Sequence, residues 1–229
     1  MLAEIADGRT DLVFDYLAAG HAATSTGSDG EPLVQTCAYY GDVSAIRYLL
    51  ERGEKLAALG ENLGLNGAVY HGHWQLCRFV LDRGADPNYA DPETGETPLH
   101  SALTKSAPRY LPVLQVLLDF GADPNRKTIP GVETGAFMRD CRTKGETPLH
   151  RAAAFCGVKA IAMVLASGAD REVRDAYGDT PLSWASWYWR PGEILEPLCY
   201  GSYRVSAAYR TDGGGMDTFL QGLPHPRPR

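Results

Sequence analysis

Apolar and polar positions alternate with a helical period most clearly in the middle of the chain's second half. After Thr147-Pro148, apolar residues recur as Leu149, Ala152 and Ala153, and after a short polar break again as Ile161, Val164 and Leu165. The spacing predicts two helices joined by a tight turn. A threonine can accept from the first free N–H groups of a helix, and the proline after it has the fixed φ and missing N–H suited to the first helical position, so helices are expected to start at Thr97-Pro98, Thr147-Pro148 and Thr180-Pro181. A glycine closes the second helix, and stretches such as Asp-Pro-Asn then read as an extended finger with a turn.

The pattern repeats. GETPLH occurs at 95–100 and at 145–150, and GDTPLS at 178–183. The step from Thr147 to Thr180 is 33 residues; that from Thr97 to Thr147 is 50. A second ladder, Gly-Ala-Asp at 84–86, 121–123 and 168–170, continues in Gly20, Gly53 and Gly201, with Gly20 to Gly53 and Gly168 to Gly201 both 33 residues apart. Comparing the two ladders places 14 of the extra residues after Asn125 and the other three near Pro108. Pro108 and Pro112 are expected to flank this shorter insertion, in the turn between two helices.

A period near 33 residues carrying T-P-L-H resembles the ankyrin-repeat family over nearly the whole chain. TPLHRAAAFCGVKAIAMVLASGAD at 147–170 is the strongest copy, supported by TPLH at 97–100 and GADPN at 121–125. In the earlier units, Gly8, Gly41 and Gly72 take the turn between helices. The resemblance implies an all-α solenoid of stacked helix-turn-helix units with β-turn fingers. Six units are expected, starting near residues 1, 30, 61, 92, 144 and 177, within a domain spanning 1–209 that carries a finger insertion at 126–143. One such unit cannot bury its own apolar face, so stability comes from stacking between neighbours. Residues 210–229, with three consecutive glycines and closely spaced prolines, read as a flexible tail, with a docking or export sequence as the alternative.

Composition narrows the functional classes. The formal net charge of −6 argues against general nucleic-acid binding, which relies on neutralising phosphates. No apolar run is long enough to span a bilayer, and MLAEIADGRTD lacks the basic-then-apolar layout of a signal peptide. The cytoplasm is the expected location, with export as an effector left open, and a monomer is expected. Cysteines at 37, 77, 141, 156 and 199 are odd in number and widely spaced, which points to reduced thiols.

No residue set announces catalysis. His71 and His73 lack a third ligand at metal-site spacing, and phosphate-loop, nucleophile-elbow and zinc-protease motifs are all missing. No enzyme activity, metal or cofactor is expected. The resemblance gives His100 and His150 a structural part, tying each to its own threonine and to the adjacent unit.

Function then rests on what the solenoid presents. In ankyrin repeats the partner surface is the concave side, built from finger tips and late inner-helix positions. Six and seven residues past Pro98, Pro148 and Pro181 stand Thr104 and Lys105, Ala154 and Phe155, and Trp187 and Tyr188; the matching positions in the two earlier units, set by register against the turn glycines Gly41 and Gly72, are Tyr39 and Tyr40, and Tyr70 and His71. Aromatic residues thus recur at one place in four units, and Tyr and Trp dominate binding hot spots. Packing against a neighbour is the competing reading, with Trp187 and Tyr188 as a cap. The insertion RKTIPGVETGAFMRDCRT is the second candidate: with Lys144 it carries Arg126, Lys127, Arg139 and Arg142 against Glu133 and Asp140, and Phe137 and Met138 give it an apolar tip. It either grips an acidic, partly apolar partner or is a tolerated, solvated loop. The expected function is a protein-interaction scaffold; the alternative is a reader whose aromatic residues cage a cationic group.

Overall fold

Helices begin where the Thr-Pro dipeptides place them. The computed structural model describes residues 1–27, 30–134 and 141–205. Among these, helices come in sequential pairs: α1 (Leu2–Ala6) with α2 (Leu12–Ala18), α3 (Leu33–Tyr40) with α4 (Val43–Glu51), and α5 (Leu65–His71) with α6 (Trp74–Leu81). There follow α7 (Pro98–Ala102) with α8 (Tyr110–Asp119), α9 (Pro148–Phe155) with α10 (Val158–Ala166), and α11 (Pro181–Trp187) with α12 (Gly192–Leu195). The chain is an all-α repeat solenoid. First helices stack as α3, α5, α7, α9 and α11, second helices as α2, α4, α6, α8, α10 and α12, and one apolar cluster runs between the layers from Ile5 to Val205.

The threonine–histidine pairs couple units as well as start helices. His100 Nδ1 accepts from the Thr97 backbone N–H at 3.2 Å, and its Nε2 lies 3.3 Å from the Glu146 carbonyl in the next unit. His150 repeats this with Thr147 at 3.1 Å and the Asp179 carbonyl at 3.1 Å. With Nδ1 accepting, each ring is the neutral tautomer that donates from Nε2. Ser183 stands where the third copy would have histidine, and its backbone N–H donates to Thr180 Oγ1 at 3.3 Å.

Fingers are joined by asparagines. Asn88 donates to the Gly121 carbonyl at 2.9 Å and accepts from the Asp123 N–H at 2.7 Å; Asn125 makes the same pair of bonds with Gly168 and Asp170. The glycine two residues before each of these aspartates is in the left-handed region, φ +81° at Gly121 and +94° at Gly168, where a side chain would be strained.

One local expectation changes, and the insertion acquires a defined path. Pro112 lies inside α8, in its first turn, where its missing N–H needs no partner; it does not flank the preceding turn. Most described residues of the insertion are exposed, and its backbone is ordered against the fold. It is an antiparallel ribbon of β1 (Glu133–Thr134) and β2 (Cys141–Arg142), tied down by Ile129 N–H to the Thr94 carbonyl at 2.8 Å and Thr128 N–H to the Glu146 carbonyl at 3.0 Å. Thr128, Thr134 and Thr143 are buried because their hydroxyls are spent on Glu146, Glu96 and backbone carbonyls. Phe137, Met138 and Arg139 lie outside the described residues, as does the tail.

Candidate functional site

Residues ending α3 and α5 form one connected row. Tyr39 meets Tyr40 at 5.0 Å between ring centroids and His71 at 4.7 Å; His71 meets Tyr70 at 5.1 Å. The Lys105 ammonium then lies 3.7 Å from the Tyr70 ring centroid, extending the row into the unit of α7 and α8. Tyr39 and Tyr70 are 59% and 49% exposed, so the row faces solvent across three units. Tyr40 is half committed to the fold, since its hydroxyl donates to the Ala6 carbonyl at 2.9 Å and its ring covers Gly8. The row has a basic side. Burial, then His73, Lys105 and Arg109, hold the His71 imidazole below its usual pKa.

A second aromatic group lies at the other end. Phe155 is half-buried and meets the Tyr188 ring edge-on at 5.0 Å. Trp187 is 56% exposed, and Tyr188 is exposed to a lesser degree. Trp184 is core, donating from Nε1 to Asp175 Oδ2 at 3.0 Å. Trp189, the most exposed tryptophan of this group at 64%, stands eight residues past Pro181 and so falls outside the six-and-seven count; the chain turns to positive φ there, just past the helix. Ala154 is buried and Thr104 half-buried.

Beneath the insertion is a buried charge network that the sequence pattern does not announce. Arg151 has no solvent exposure; its Nε donates to Glu146 Oε1 at 3.0 Å, and its guanidinium also pairs with Glu96. Thr128 and the Lys144 N–H donate to Glu146 Oε2, each at 2.7 Å, while Thr134 donates to Glu96 at 2.9 Å. A signal is nonetheless present: both GETPLH copies carry the glutamate, and the arginine follows the second. Of the insertion's cations, Arg142 pairs with Glu133 at 2.9 Å and Lys127 donates to the Arg174 carbonyl at 2.8 Å, so both are partly spent within the fold; Arg126 is exposed.

The titratable groups that could suggest chemistry are tuned away from it. Burial, with the Arg151 charge, pushes His100 down to about 3, and burial pushes His150 down to about 4. Cys37, Cys77 and Cys156 are buried free thiols pushed up to about 12 by desolvation, and thiols so raised are poor nucleophiles. Among the described residues, no group of three or more His, Cys, Asp or Glu could hold a metal ion, and no helix is long and apolar enough to cross a membrane.

The family model for ankyrin repeats (3 copies) matches residues 1–128, and that for a single ankyrin repeat matches 144–176. Similar proteins include human SH3 and multiple ankyrin repeat domains protein 2, 34% identical over 133 residues, which is 56% of this chain and 6% of that protein. Bovine ankyrin repeat and SOCS box protein 3 is 27% identical over 174 residues, 65% of this chain and 32% of its own length. The Drosophila melanogaster transient receptor potential channel pyrexia is 36% identical over 145 residues, 55% of this chain and 15% of its own length. The chain therefore spans a third or less of these relatives.

Proposed function

Because the chain belongs to the ankyrin-repeat family, whose repeats generally mediate protein–protein interaction, we propose that it is a non-catalytic scaffold holding a partner protein across the row formed by Tyr40, Tyr39, His71, Tyr70 and Lys105. One observation carries this reading: these side chains touch in sequence across three stacked units while Tyr39 and Tyr70 keep about half their surface in solvent. A surface of that kind suits an extended segment lying across the units. Phe155, Trp187 and Tyr188 would serve as a second contact, with the insertion, including Phe137, Met138, Arg139 and Arg142, orienting the partner. The same reading takes the protein as a monomer working in the cytoplasm, without nucleic acid.

The cationic-reader alternative has less support. A cage needs open aromatic faces converging on one point, and one face of Tyr70 already carries the protein's own Lys105 ammonium.

Affinity capture from lysate tests the proposal, comparing the wild type with Tyr39→Ala/Tyr70→Ala and Trp187→Ala. A discrete protein held by the wild type and lost by the double variant, with helicity unchanged by circular dichroism, is the expected result. Equal retention by all three would sink it.

A further inference from the structure

The turn between α7 and α8 differs from its counterparts. The α3–α4 and α9–α10 turns take two residues each, Gly41-Asp42 and Cys156-Gly157, whereas residues 103–109 separate α7 from α8. Helix α7 has 5 residues against 8 in α9, so the chain leaves the helix early and loops outward. Cys156 helps fix the loop, its Sγ–H reaching the Leu103 carbonyl at 3.4 Å. Between this loop and the α9–α10 turn lies a cavity of about 210 Å³. Its walls are mostly aliphatic, including Leu103, Ala107, Pro108 and Val158, and its charged lining residues are Lys105 and Lys159. Among the described residues that line it there is no acid.

Three cations crowd this region. Lys105 joins the cavity to the aromatic row through Tyr70, Lys159 stands on the next unit, and Arg109 lies against Tyr110 and Gly72. Among the described residues none of the three is in an ion pair. Small-molecule sites run to roughly 300–1,000 Å³, so this cavity suits a single side chain better than a whole ligand.

Resting on the scaffold reading above, we infer that the partner is an extended peptide segment whose anchor is one large apolar residue flanked by carboxylates: the apolar side chain fills the cavity beside Pro108 and Val158, and the carboxylates meet Lys105, Lys159 and Arg109. The charge complementarity selects the flanks, since a positive or neutral neighbour would leave the cations uncompensated or repelled. Lys105 links the anchor to the row, so the remainder of the segment runs over Tyr70, His71 and Tyr39.

The test is a selection on the immobilised full chain from a library of twelve-residue peptides with a fixed central Leu or Phe and randomised flanks, followed by fluorescence polarisation with the selected peptide. Asp and Glu should be enriched next to the centre. Affinity should fall about tenfold in Lys105→Gln/Lys159→Gln and roughly thirtyfold or more in Ala107→Trp, which fills the cavity. The lysine variant alters only the rim, so it remains informative if Ala107→Trp does not fold. Enrichment of neutral or basic flanks, no selected peptide at all, or binding indifferent to both variants overturns the inference. If the selection fails while a captured protein still depends on Tyr39 and Tyr70, the acidic-flanked anchor falls and the scaffold reading stands.

Discussion

Arg151 and Glu146 form an ion pair with no solvent exposure on either side chain, closed by Nε to Oε1 at 3.0 Å. Removing one partner of such a pair leaves the other charge buried and uncompensated, which costs about 3–5 kcal/mol. Arg151→Ala is therefore expected to lower the urea midpoint steeply, and Glu146→Gln to do so less, since the amide keeps the volume and some hydrogen bonds. Equilibrium denaturation at pH 7 checks both. Midpoints within error of the wild type would show that the network contributes little.

The same glutamate gives the protein an acid-sensitive limb. Burial alone would push its carboxyl up, but the Arg151 charge and the bonds from Thr128 and the Lys144 N–H outweigh burial and hold it at about 2, below the ordinary 4.5. A depressed folded-state value means stability that is full above the unfolded value and is lost as pH falls towards about 2. His100 and His150, lowered from 6.5 to about 3 and about 4, act in the same direction over a higher window: the unfolded chain takes up protons that the buried rings refuse. Stability should fall as pH drops from about 6.5 to 4, and His100→Gln should flatten that slope while lowering stability at pH 7 through the lost tie to Glu146. Thermal unfolding from pH 8 to 4 measures it; an unchanged slope in the variant would contradict the assignment of a buried neutral ring.

Two glycine substitutions separate backbone strain from crowding. Gly53 has φ +103° with nothing near an added Cβ, whereas Gly95 has φ +69° and its Cβ would lie 2.9 Å from the Ile129 backbone nitrogen. Gly53→Ala should cost about 1 kcal/mol from strain. Gly95→Ala should cost clearly more, because the insertion's backbone would have to move. Comparable denaturation midpoints for the two would mean that the insertion is not docked as described.

Thiol accessibility offers an independent check on the core. Cys37, Cys77 and Cys156 are buried, while Cys141 and Cys199 are partly exposed. Under native conditions an aromatic disulfide reagent should label Cys141 and Cys199 alone, with the remaining three reacting only in denaturant. Rapid native labelling of Cys77 would place a defect in α6 packing.

The fold was legible because it is written in residues with one conformational use. Thr147-Pro148 marks a helix start whatever surrounds it, and Gly168 marks a helix exit. What escaped the pattern depends on partners distant in sequence. Glu96 and Arg151 look like surface charges until the solenoid brings them together under the ribbon. The early end of α7 at Ala102, and so the cavity, follows from a loop path that no periodicity encodes. At the candidate site, the register of the repeat found Tyr39, Tyr70 and Trp187, which are exposed, but could not see that Tyr40 is tied to Ala6 or that Trp189 is exposed beyond the helix end.

Site-specific photocrosslinking in cells reads out whether a partner lies across the aromatic row. A photoreactive phenylalanine analogue would replace Tyr39 in one variant and Gln115, exposed on the second-helix layer, in another. One discrete crosslinked protein from position 39 and none from position 115 is the predicted result. A product from position 115 alone, or none from position 39, would contradict it.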